Sequence, residues 1–145
     1  SLGYPDEATE LHMAHVQSTH QPLDSLQPVM DGELLLEIQH RVKTVYMGES
    51  VNHYAVDLVR RTREHKHLLL GASPRATLAL VNAAKAFAYL QGRDYVIPDD
   101  VKFLAPHVLG HRLVLKTEAR LEGVTAASVI ESIFRDAKVP VRLER

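Results

Sequence analysis

The chain has 145 residues, 46% of them hydrophobic and 24% charged, and a formal net charge of -1. That length suffices for one compact domain with its own core, and the near-neutral balance excludes a basic field that would draw the whole chain to nucleic acid or to an anionic membrane surface. There is no cysteine, which excludes a disulfide framework and thiolate chemistry; no apolar run reaches the length of a membrane span, and no signal peptide is visible.

Aromatic residues make up 6% and Trp is absent. A core built mainly from Leu, Val, Ile and Ala favours packed helices over a β-sandwich, so the expected fold is all-α: a small bundle of about six helices with a minor β pairing near the C-terminus. No repeat or low-complexity tract interrupts it. A first residue Ser1 instead of Met predicts a processed or excised product.

The first helix is expected from Glu7 to Gln17, with Asp6 as N-cap after Pro5. Ser18 to Met30 contains Pro22 and Pro28 and is irregular, but Leu23, Leu26 and Val29 predict that it packs down. Asp31 caps a second helix through Leu34, Leu35, Ile38, Val42 and Val45, which Gly48 ends. Ser50 is expected to open a third. There Val51, Tyr54, Ala55, Leu58, Val59 and Thr62 fall at i, i+3, i+4, i+7, i+8 and i+11, one continuous buried stripe.

Leu68–Leu70 leads into Gly71-Ala72-Ser73-Pro74-Arg75. Ser73 suits an N-cap and Pro74 the first helical position, where its missing N–H is not needed. The fourth helix is apolar on most sides and should be central; its polar stripe is Arg75, Asn82 and Lys85, and Gly92 ends it in a left-handed conformation. Pro98-Asp99-Asp100 begins a fifth helix, acidic where the macrodipole favours it. Pro106 predicts a break there. Leu113 to Lys116 reads as a short strand that could pair with Val141 to Leu143. Thr125 caps a last helix, with Val129, Ile130, Ile133, Phe134 and Ala137 inward, and Pro140 stops it.

Arg75 is the residue with the clearest chemical potential. It lies in a first helical turn, where free N–H groups attract anions and where a cation opposes the dipole. A guanidinium adds a planar fork of donors that suits phosphate oxygens. On these grounds alone, an Arg75 that is merely solvated or paired with a carboxylate is the more economical reading. Nine histidines include the close pairs His107/His111, His12/His15 and His65/His67, but zinc sites need three or four ligands of defined spacing, so surface or interface histidines are expected and no metal site. Arg60, Arg61 and Arg63 read as a solvated helix face. No serine sits in a nucleophile elbow, no GxxxxGK[ST] loop is present, and Asp99-Asp100 is a helix start before it is a catalytic pair.

The stretch Leu69-Leu70-Gly71-Ala72-Ser73-Pro74-Arg75-Ala76 strongly resembles the sensor 2 region of the MoxR family of AAA+ ATPases. In order after it come Ala83-Ala84-Lys85-Ala86, Gly92-Arg93-Asp94-Tyr95-Val96, Pro98-Asp99-Asp100-Val101, Leu104-Ala105-Pro106 and His111-Arg112-Leu113, all similar to that family. Upstream, Pro22-Leu23-Asp24, Pro28-Val29 and Thr62-Arg63 fit as well, and Gly3-Tyr4-Pro5 looks like the exit from the last strand of a nucleotide-binding core. The resemblance covers nearly the whole chain. It departs at Ile97, a poor cap where the family often has Thr or Ser, and no Walker A, Walker B, sensor 1 or arginine-finger segment is present.

The resemblance implies a helical AAA+ lid over residues 5–145, with residues 1–4 as the tail of the core. It implies that Arg75 is the catalytic sensor 2 arginine, with Arg75, Ser73 and Tyr4 on the nucleotide side. It further implies a parent ATPase using ATP and Mg, no tightly bound cofactor in this chain alone, and cytoplasmic work as part of a chaperone-like ring, expected to be a hexamer. The implied partners are its own core domain, neighbouring subunits and a VWA-domain protein. A freestanding helical adaptor without ATPase activity is the alternative. A DNA-binding domain is disfavoured by the absence of a basic recognition helix.

Overall fold

The computed structural model of the chain describes residues 3–19, 23 and 26–140. Two compact units are present, Ser1–Leu36 and Glu37–Arg145. In the first, helix α1 (Glu7–Thr19) is capped as expected: the Thr9 N–H donates to Asp6 Oδ1 at 2.8 Å. Hydrogen bonding from the Thr9 side chain, and after it from the Thr9 N–H, holds the Asp6 carboxyl below its ordinary value. The Leu34 N–H donates in the same way to Asp31 Oδ1 at 2.8 Å and opens α2 (Gly32–Thr44), within which the boundary between the units falls.

The expectation that Leu23, Leu26 and Val29 pack down is wrong: they are 73%, 69% and 92% exposed. None of the described residues of this unit is buried, so those residues form no apolar floor within it. Three apolar residues spaced by prolines cannot form a continuous helical face of their own.

The second unit holds the core. Helix α3 (Glu49–Glu64) starts at Glu49 after Gly48, slightly ahead of the expected opening at Ser50, and buries Val51, Tyr54, Ala55, Leu58, Val59 and Thr62. This is the stripe that the helical period predicts. Helix α4 (Pro74–Leu90) buries Ala76, Leu80, Ala84 and Ala88, every fourth residue, and packs against both α3 and α5 (Pro98–Leu109). The small side chains let the three backbones approach closely. Gly92, at φ +72°, reverses the chain, and the Arg93 N–H reaches the Ala88 carbonyl at 2.9 Å; this left-handed ending is the one expected.

Helix α5 does not break at Pro106. Val101, Ala105 and Leu109 are buried across that point, and the Gly110 N–H donates to the Pro106 carbonyl before a 3-10 turn at Gly110–Arg112. The proline removes the donor that the Lys102 carbonyl would use, but Lys102 is exposed and water can take that role. The burial on the opposite face keeps the helix intact.

Leu68–Leu70 forms β1, which pairs antiparallel with β2 (Val114–Leu115). The short strand near residue 114 is therefore present, but its partner is β1; Val141–Leu143 lies outside the described residues. Helix α6 (Thr117–Leu121), which the sequence reading did not separate, precedes α7 (Ala126–Asp136). In α7, Thr125 and Ser128 cap one another reciprocally, each hydroxyl accepting the other's N–H at 3.1 Å. Val129, Ile130 and Ile133 bury α7 against α3 and α5. The architecture is the expected helical bundle, with seven α-helices and one short β pair among the described residues.

Two polar devices hold the bundle. At the start of α5, Asp100 is 3% exposed and takes both donors of the Arg93 fork, at 2.8 and 2.6 Å, while its Oδ2 also accepts the Ile97 N–H at 2.9 Å. Ile97 offers no side-chain cap, and the Asp100 carboxylate satisfies that end of the helix from within. Asp100 pushes the Arg93 guanidinium further up from its ordinary value. Removing the carboxylate leaves the Ile97 N–H without a partner and strips the guanidinium of its counter-charge, with only the Tyr95 carbonyl, 2.9 Å from Arg93 Nη1, still accepting from it. Asp100→Ala should therefore lower stability by about 2–4 kcal/mol in urea unfolding, and a change below about 0.5 kcal/mol would mean that the pair is idle.

At the C-terminal end of α3, His65 Nε2 lies 3.0 Å from Ser132 Oγ of α7, whose own hydroxyl proton goes to the Val129 carbonyl at 2.7 Å. His65 Nδ1 accepts the His67 N–H. Both nitrogens are thus used by the neutral ring, protonated on Nε2. Burial lowers the His65 pKa, with His67 and Lys66 adding to the effect and Asp136 opposing it. A depressed folded value means that the unfolded chain binds the proton first. Stability is full above the ordinary imidazole value of about 6.5 and falls as pH drops below it through the folded value. The urea midpoint should decline between neutrality and mild acid more steeply in the wild type than in His65→Gln; parallel declines would exclude His65 as the source.

Candidate functional site: the start of helix α4

Between β1 and α4 the chain passes Gly71, Ala72 and Ser73. Gly71 runs against the backbone of α3: a Cβ placed on it would lie 2.6 Å from backbone atoms of Thr62 and Arg63, closer than any side chain tolerates. The next residue, Ala72, is 1% exposed, and both of its backbone groups are taken by α3. Its N–H donates to Thr62 Oγ1 at 2.9 Å and its carbonyl accepts from Arg63 Nε at 2.9 Å. Thr62 passes its own proton to the Val59 carbonyl at 2.6 Å, so this 1%-exposed hydroxyl is fully satisfied.

Helix α4 starts immediately afterwards. Ser73 stands at the N-cap with extended backbone, but its hydroxyl makes no capping hydrogen bond; the sequence-based assignment of Ser73 as a side-chain cap is corrected to a cap by position only. The Ser73 carbonyl accepts the Ala76 N–H at 2.9 Å, and Ala76 is fully buried. Ala72 and Ala76 therefore seat the first turn on either side of Arg75. The Arg75 side chain is exposed and has no hydrogen bond or ion pair among the described residues. An unpaired guanidinium beside N–H groups that the Ser73 side chain leaves alone is a surface suited to an anion.

The third candidate, Tyr4, is 99% exposed and belongs to the first unit, whereas Ser73 and Arg75 belong to the second. Further along the polar stripe of α4, Asn82 and Lys85 border an apolar groove of about 410 Å³ that is also lined by Ile38, Val42, Ala86 and Tyr89. Lys85 Nζ is held there by the Lys43 carbonyl at 3.3 Å, which ties the side chain to α2. The histidine pairs gather no metal set: among the described residues no three His, Asp or Glu side chains form a group able to hold an ion. No helix of the described residues is long and apolar enough to cross a membrane.

The residues that hold Ala72 are ones that look ordinary in the sequence. Thr62 is the last member of the buried α3 stripe and the only one besides Tyr54 that carries a polar group, which is the signal that its hydroxyl has an internal task. Arg63, grouped with Arg60 and Arg61 as a solvated face, instead turns back to the Ala72 carbonyl.

The chain is similar to known proteins. The AAA lid domain family model matches residues 60–133, just over half of the chain, from the end of α3 through most of α7. The chain is 41% identical over 141 residues to the uncharacterized protein YeaC of Bacillus subtilis, covering 97% of this chain and 44% of that protein. It is 33% identical to Chaperone MoxR1 of Mycobacterium tuberculosis, covering 97% of this chain and 39% of that protein. Protein MoxR of Paracoccus denitrificans is 40% identical over 72 residues, 48% of this chain and 21% of that protein. The crystal structure of a protein assigned as an ATPase from Cytophaga hutchinsonii superposes with a TM-score of 0.81 at 34% identity, over 96% of this chain and 45% of that one. The chain spans less than half the length of each of these relatives. With the helical bundle, the family match across the start of α4 and relatives named MoxR in agreement, the chain belongs to the AAA lid domain family and is a lid of the MoxR-type AAA+ proteins.

Proposed function

We propose that this lid supplies the sensor 2 arginine, Arg75, to the γ-phosphate of ATP bound by a AAA+ core domain. The observation that carries this reading is the exposed guanidinium without an internal partner at the first turn of α4. The described residues offer donors for a phosphate and no carboxylate cluster for Mg, so the metal would be held by the core together with the nucleotide. When the bond to the γ-phosphoryl group breaks, charge spreads over its equatorial oxygens, and a cation aimed there lowers the barrier. Because ATP and ADP differ in the group Arg75 addresses, the same contact biases the position of the lid and couples phosphate loss to its movement.

The wider reading rests on the family resemblance. The chain would work in a parent ATPase that assembles into a ring, expected to be a hexamer, in the cytoplasm. There the lid would contact its own core and a neighbouring subunit, with Ser73 and Tyr4 on the nucleotide side and residues 1–4 leading from the core. The name of the Mycobacterium tuberculosis relative, Chaperone MoxR1, supports a chaperone-like role, for which a VWA-domain partner is proposed.

In the parent protein, Arg75→Ala should lower ATP turnover on the order of a hundredfold, the size of effect seen when one donor to a developing charge is removed. Far-ultraviolet circular dichroism should be unchanged, because the side chain is exposed. Wild-type turnover in that variant would remove the assignment.

A further inference from the structure

Helix α4 begins without a side-chain cap, yet its first turn must hold a guanidinium at a defined place. A helix end that is free to fray would spread Arg75 over many positions. The structure shows where the constraint comes from. Three residues before Arg75, the N–H and the carbonyl of Ala72 are both bound to consecutive residues of α3: Thr62 Oγ1 at 2.9 Å and Arg63 Nε at 2.9 Å. Thr62 Oγ1 is itself anchored on the Val59 carbonyl at 2.6 Å. Gly71 allows this approach, since any Cβ there would meet the α3 backbone at 2.6 Å.

A loop that only needed to cross the surface would leave one of these groups to water. Here an exposed arginine is turned back onto a backbone carbonyl, and a buried threonine accepts a backbone N–H from ten residues away. Both contacts converge on the single peptide-bearing residue that precedes the Ser73-Pro74-Arg75 turn.

We infer that Thr62 and Arg63 are positioning residues for Arg75: they clamp Ala72 to the end of α3 and so fix the place from which the guanidinium meets phosphate. This rests on the reading of Arg75 given above. It adds that α3 and α4 move as one piece at this end, so that the lid cannot shift Arg75 without carrying the C-terminal turn of α3 with it.

The test is a double-mutant cycle in the parent ATPase. Thr62→Val keeps the volume and deletes the hydroxyl. Arg63→Met keeps the stem and deletes the donor; its position is exposed, so this variant carries the test should Thr62→Val fail to fold. Each should lower kcat on the order of tenfold, a misplacement effect, with a smaller change in KM for ATP. Thr62→Ser, which retains the hydroxyl, should restore kcat. Added to Arg75→Ala, neither substitution should cause further loss, since the residue it positions is gone. An undiminished loss on the Arg75→Ala background, or full turnover in both Thr62→Val and Arg63→Met while Arg75→Ala is impaired, would overturn the clamp and leave the Arg75 reading standing. Wild-type turnover in Arg75→Ala itself would remove that reading, and the clamp's role with it.

Discussion

The hydrogen bond from the Ala72 N–H to Thr62 Oγ1 is the contact on which the arrangement of this lid depends. It joins the end of the most regular buried helix face to the loop from which the central helix departs. A buried N–H left without a partner is costly, so the chain is committed to placing a hydroxyl there once it has chosen to bury Ala72. That choice follows from Gly71, which brings the loop so close to α3 that the next residue has no route to solvent. The exposed arginine two residues past Ser73 is then held by groups it never touches.

Around this junction the lid is stabilised by ordinary means. Aliphatic side chains of α3, α4, α5 and α7 form one continuous core, and the two loops most important to its shape are each fixed by a polar side chain reaching a backbone group. Thr62 does this before α4, and Asp100 does it after, where its carboxylate replaces the cap that Ile97 cannot provide. Both of these contacts lie at helix junctions, while the contacts between helix midpoints are mostly apolar; within α3 the Tyr54 hydroxyl is buried without a hydrogen-bond partner among the described residues. Exposed i,i+4 pairs such as Arg41–Glu37 and Arg61–Asp57 decorate the surface and contribute little.

Much of this was legible in the sequence because it is local. The α3 stripe, the Asp6, Asp31 and Thr125 caps and the Gly92 ending each depend on residues a few positions apart. What was not legible depends on distant partners. The strand at Val114–Leu115 was readable, but its pairing with Leu68–Leu70 is set by how α4 and α5 fold back between them. Pro106 predicts a break from its own chemistry, yet Val101, Ala105 and Leu109 hold α5 together across it. Leu23, Leu26 and Val29 read as a packing face only if a floor exists. At the site, Arg75 could be picked out from its place in a first helical turn, whereas the roles of Thr62 and Arg63 appear only when Ala72, ten and nine positions away, is brought alongside them.

The alanine spacing of α4 has a mechanical consequence. Of its four buried residues, Ala76, Leu80, Ala84 and Ala88, three have no χ rotamers to change, so the helix has almost no means of absorbing a push by repacking against its neighbours. A displacement at one tip would travel as rigid translation of the whole rod, about 25 Å for its 17 residues at 1.5 Å each. It would emerge at the opposite tip, where Gly92 and the Arg93–Asp100 lock hand it to the following helix.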